Sequence, residues 1–312
     1  MVFRTEINPI KSLQTILHKD KISLIGSCFT ENIGSKLSEN GFNIDINPFG
    51  IIYNPISISE CIRKVANKDF LNSSDLIKVE GFWKSYSHHG DFRSENQNTC
   101  LQIINQRIES SHPILNNSKY LIITLGTAWI YTHIESQRIM GNCHKIPSNC
   151  FEKKLLNINE IVEELGQSIK LFLDNSNLEN KKVIITISPI RHWKDGYREN
   201  QISKSVLHLA TQELCLQDNR IEYFPSYEIV MDDLRDYRFY ESDMLHPSTL
   251  AIDYIWGKFV NTFFNINTIE LCKRFEHLNK MKNHRPFNPN TDSYRKHLEK
   301  IEQLEKELKK EI

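Results

Sequence analysis

The chain has 312 residues, 39% hydrophobic and 25% charged, with Lys+Arg and Asp+Glu balanced at 39 each. That length supports one large domain or two modest ones around a buried core, and the charge balance argues against nucleic-acid or anionic-membrane binding through bulk basic charge. No apolar run approaches the roughly 18 residues that span a bilayer.

Residues 1–8 lack the apolar segment of a secretory signal. Seven scattered cysteines, none in a CxxC pair, suit a reduced, cytoplasmic chain. In chain order, residues 22–25 are a β-branched apolar run that predicts a first buried strand. Thr30 then caps a helix through Ile33 and Leu37, with Gly41 as its stop. Residues 120–125 predict a second strand. Residues 155–173 predict a helix, apolar at Leu156, Ile158, Ile161, Val162, Leu165, Ile169 and Leu173, close to the 3.6 period. Strands follow at 183–187 and 221–224, separated by a helix at 202–216, and a further helix at 249–264 follows Pro247. Strands alternating with helices imply an α/β fold with a mostly parallel sheet covered on both faces. Residues 81–115 show no readable pattern.

The chain divides into residues 1–282 and a tail of 283–312, whose connector, residues 283–290, leads into a Lys/Glu-rich helix. Tyr294, Leu298, Ile301, Leu304 and Leu308 form an apolar stripe on that helix, but His297 and Glu311 interrupt a heptad seam. The stripe suits packing on the protein's own domain, with a homo-oligomer contact as the alternative.

Two motifs carry chemistry. Gly26-Ser27-Cys28-Phe29-Thr30 lies directly after the first strand and opens a helix, where open α/β sheets expose reactive groups and a helix N-terminus favours a developing oxyanion. Asp243-Met244-Leu245-His246-Pro247 lies just before a late helix. Its Asp can hold one imidazole nitrogen and leave the other free as general base. Each motif alone also fits an ordinary turn; an early strand-end Ser combined with a late DxxHP is the rarer observation.

With these residues the chain resembles the GSCFA family, which is related to the SGNH, or GDSL-type, hydrolases. Asn47-Pro48-Phe49-Gly50, Thr124 to Trp129, Ser188 to Trp193, Ser226 to Ile229 and Asp243 to Pro247 are similar to family stretches and extend the resemblance over about residues 20–260. The resemblance implies a flavodoxin-like three-layer sandwich and ester cleavage with Ser27 as nucleophile, His246 as base and Asp243 orienting it. It implies an oxyanion hole from the backbone amides of Ser27 and Gly50. The Asn that SGNH enzymes use as third donor is replaced by Ala128, so Thr127 or Asn142 is the expected substitute. Losing one such donor typically costs about 2.7–4 kcal/mol of transition-state stabilisation.

Cys28 competes with Ser27 as nucleophile, because a helix N-terminus lowers a thiol pKa, but neighbouring residues in such a turn point in different directions. The loop of residues 191–201 should rim the pocket, with Arg191 gripping a carboxylate or phosphate, His192 lining it and Trp193 stacking on a ring. His88-His89-Asp91 and Cys143-His144 lack metal-ligand spacing, and no phosphate loop or dinucleotide fingerprint is present, so neither metal nor cofactor is expected. The expected function is an esterase or deacylase acting on a small ester or acylated sugar, with a catalytically weak ligand-binding module as the alternative.

Overall fold

The computed structural model describes residues 4–176, 178–288 and 290–312. Five parallel strands form the central sheet: β1 (Ile22–Gly26), β2 (Ile44–Ile46), β5 (Tyr120–Leu125), β8 (Lys182–Ile187) and β9 (Ile221–Phe224). Their spatial order is β2-β1-β5-β8-β9, the doubly wound order of flavodoxin-like folds. Two antiparallel hairpins stand outside it, β3 (Leu76–Val79) with β4 (Phe82–Ser85) and β6 (Trp129–His133) with β7 (Phe151–Leu155).

The strands are apolar on both faces because helices cover both. Along β5, Leu121, Ile123 and Leu125 join one core while Tyr120 and Ile122 join the other. The first core takes residues from α2 (Pro55–Asn67), α3 (Gln97–Asn116), α4 (Ile158–Asp174) and α5 (Tyr197–Gln217). The second takes residues from α1 (Cys28–Glu39) and α7 (Thr249–Phe263), with the one-turn α6 (Ser226–Glu228) leading into it. The result is a three-layer α/β sandwich.

The four strands expected from sequence form the middle and one edge of this sheet. The short edge strand β2 and both hairpins lay below what periodicity can detect, and α3 occupies much of the stretch that showed no pattern. Ser27, not Thr30, caps α1. The helix starts at Cys28, directly after the strand, so Thr30 is already inside it and buried. At the other end, α8 (Ile266–Asn283) and α9 (Asp292–Glu311) pair as a hairpin. Ile301, Leu304 and Leu308 pack on Leu271, Phe275 and Leu278 of α8, so much of the tail's apolar stripe is spent within the chain. Among the described residues no helix is long and apolar enough to cross a membrane.

Candidate active site at the carboxyl edge of the sheet

The parallel strands β1, β5 and β8 end side by side, and their loops meet the hairpin of residues 240–247. Gly26 ends β1 at φ +153, and a Cβ there would lie 2.4 Å from the Thr124 carbonyl oxygen of β5. Only glycine lets the two strand ends close in this way. The next residue, Ser27, is 2% exposed. Its amide donates to the Thr124 carbonyl at 3.2 Å, and its Oγ accepts from the Phe29 amide at 3.3 Å. The Ser27 hydroxyl is therefore a helix cap.

His246 meets Cys28 instead. Its Nε2 lies 3.7 Å from the Cys28 Sγ. Its Nδ1 lies 2.5 Å from Asp243 Oδ2, while Asp243 Oδ1 accepts from the backbone amides of Leu245 and His246 at 2.8 and 2.9 Å. Those amide bonds, then the imidazole, hold the Asp243 carboxyl down to about 2. The carboxylate is thus ionised and locked on one ring nitrogen, which leaves the other facing the thiol. The sequence expectation paired His246 with Ser27; in the structure the ring contacts the Sγ of the neighbouring residue, while Ser27 Oγ is bonded to the Phe29 amide. Burial pushes the Cys28 thiol pKa up, opposed in part by the backbone amides of Cys28 and Phe29 and least by Lys204, so the resting thiol is protonated.

Lys204 was not singled out from the sequence. It is fully buried, and its Nζ donates at 2.7 Å to both the Gly126 and Ser188 carbonyls, tying the ends of β5 and β8 together beneath the site. Burial pushes its pKa down to about 7. Its signal was a lysine on the buried stripe of α5, in register with Ser203, Leu207 and Leu214.

The expected oxyanion donors Ser27, Gly50 and Thr127 are otherwise engaged. The Gly50 amide donates to the Asn47 carbonyl at 2.8 Å within its own turn. Thr127 is buried, its hydroxyl paired with Ser203 Oγ at 2.9 Å and accepting from the Trp129 amide. Asn142 Oδ1 accepts from the His144 amide at 2.8 Å, which leaves its Nδ2 as a donor on the wall of the cleft described below. Two further donors stand closer to the strand ends. The Cys28 amide opens α1 and donates to no other residue among the described ones, as helix-start amides do unless capped. His192 buries an Nε2 with no hydrogen-bond partner among the described residues, and that nitrogen would be 3.1 Å from a Cβ on Gly126. Burial, then the Lys204 charge, drives the His192 pKa down to about 4, so the ring is neutral.

Beyond His192 a cleft of about 240 Å³ continues between Tyr53, Trp129, Tyr131 and Asp195. Arg191 points the other way, its Nη2 donating to Met231 Sδ at 3.2 Å. Trp193 is 54% exposed at the rim. His88 is buried against Phe49 while His89 turns to Asp91, and among the described residues no cluster of three His, Cys, Asp or Glu could hold a metal.

A model described as the GSCFA family matches residues 21–259, a span that holds the whole sheet, Cys28, His246 and Asp243. The chain belongs to the GSCFA family. A second model, described as the C-terminal domain of GSCFA domain proteins, matches residues 275–312, most of the α8–α9 hairpin. No curated protein matches the chain.

Proposed function

We propose that this GSCFA-family protein is an acyl-transfer enzyme of the SGNH-like kind, an ester or thioester hydrolase with a thiol nucleophile. The observation that carries the reading is the chain of contacts Asp243–His246–Cys28. His246 Nε2 takes the Cys28 proton as Sγ attacks the carbonyl carbon, and the carbonyl electron pair moves onto oxygen. The Cys28 amide and the neutral His192 Nε2–H face that oxygen, His192 taking the place of the missing Asn donor. Collapse breaks the bond to the leaving alcohol or thiol, which takes its proton from His246. Water, deprotonated by the same imidazole, then releases the acyl group from Cys28. Asp243 stabilises the imidazolium at each stage.

The Gly50 amide, committed inside its turn, favours a second reading: a weakly catalytic protein whose Tyr53–Trp129 cleft binds a carbohydrate or similar ligand. Seven free thiols fit a reducing compartment such as the cytoplasm. Intact-mass measurement after iodoacetamide and after an activated thioester separates the two readings. An acyl or alkyl adduct that disappears in Cys28→Ala and slows strongly in His246→Ala supports the enzyme. Equal labelling in His246→Ala, with no turnover, leaves the binding module.

A further inference from the structure

Against the hairpin of residues 240–247, and lined by other residues than the aromatic cleft, lies a second cavity of about 240 Å³. Arg191, Met231, Arg235, Tyr237, Tyr240 and Met244 line it. The hairpin joins it to the chemistry: Tyr240 bridges Pro247, the Glu241 amide donates to the His246 carbonyl at 2.8 Å, and Met244 sits between Asp243 and His246 in sequence. Met244 holds φ +60, a left-handed conformation uncommon for a side chain of its size, and is 50% exposed on the cavity wall. Arg191 Cζ lies 5.9 Å from the Tyr240 ring centre. Among the described residues neither Arg191 nor Arg235 has a carboxylate within ion-pair distance, and Asp236, also on the wall, is engaged with Arg238.

Resting on the reading above, we propose that this cavity holds the leaving-group half of the substrate, and that this half carries a carboxylate or phosphate on an aryl or apolar body. His246 must hand its proton to the leaving group, so that group departs on the hairpin side. Two guanidiniums without carboxylate partners, beside an aromatic and two thioethers, match an anion attached to an apolar body.

The test is methyl-¹³C-methionine NMR of the full chain titrated with phenyl phosphate, benzoate and benzyl alcohol. Met231 and Met244 report on the cavity, and Met140 and Met281 report on the fold elsewhere. Saturable shifts confined to Met231 and Met244 are expected with the anions, weakened at least about tenfold in Arg191→Gln or Arg235→Gln and weakened in wild type by added salt. Tighter binding of phenyl phosphate than benzoate identifies the phosphate source, and the reverse order the carboxylate. No saturable shift, an equal response to benzyl alcohol, or anion binding indifferent to both salt and arginine overturns the proposal. Cys28→Ala should bind the anions unchanged, so a wild-type thiol that forms no His246-dependent adduct refutes the enzyme reading without touching the cavity, and loss of the shifts refutes the cavity alone.

Discussion

Cys28 and His246 reach each other from surroundings of opposite character. The thiol hangs from the end of β1 on a floor made by Gly26, the capped Ser27 and the fully buried Lys204. The imidazole stands on a surface hairpin, with the His246 and Asp243 side chains 47% and 46% exposed. The core fixes the thiol, while a few local hydrogen bonds to one carboxylate fix the imidazole. Substitutions on the thiol side should therefore disturb folding, with or without reactivity, and those on the hairpin reactivity alone.

The largest expected effect is on the exposed side. His246→Ala removes the proton acceptor and should lower the acylation rate by about 10²–10⁴-fold, the usual contribution of a general base. Its urea midpoint should stay at the wild-type value, because the side chain is half in solvent. A matching drop in midpoint would show that the hairpin is structural. Gly26→Ala tests the buried side: its new Cβ would meet the Thr124 carbonyl oxygen at 2.4 Å and the Thr124 nitrogen at 2.8 Å. With the strained φ added, unfolding stability should fall by about 2 kcal/mol or more, read from urea melts, and Cys28 labelling should become insensitive to His246.

How much of this was legible follows the same division. The strand at 120–125 and the helix at 249–264 were readable because their apolar residues repeat with a structural period, and the DxxHP hairpin because Asp and His are close in sequence. The pairing of His246 with Cys28 rather than Ser27 depends on where α1 begins, one residue after the strand, and a boundary is where periodicity carries least information. His192 and Lys204 were hard to weigh for another reason. Their roles come from burial beside strand ends separated by up to 78 residues, a tertiary relation that no local pattern encodes.

Lys204 gives a smaller, pH-dependent test of the floor. Its folded pKa of about 7 lies below the roughly 10.4 of an unfolded lysine. Between those values the unfolded chain binds a proton that the folded chain does not, so stability should rise with pH across that window. The burial penalty is present in full below pH 7. The slope should approach about 1.4 kcal/mol per pH unit in wild type and drop out in Lys204→Met. Urea melts at pH 7.5 and 9.5 measure it, and an unchanged slope in the variant would mean that the ammonium is solvated.

Ser27→Ala should have the smallest effect, and it separates the two nucleophiles. The Ser27 Oγ accepts the Phe29 amide as the cap of α1, and its loss should cost about 1 kcal/mol of stability. Were Ser27 the attacking group, the same substitution would abolish acylation entirely. With Cys28 as the nucleophile, thiol alkylation and acyl-adduct formation should persist within about threefold, the residue of a slightly frayed first turn. The cap and the proposed nucleophile are adjacent in sequence but make opposite demands on their side chains. A cap must turn back onto its own helix, and a nucleophile must turn away from it toward the base. Only Cys28 does the latter, so a Ser27→Ala protein that keeps its adduct and loses a little stability is the outcome this geometry requires.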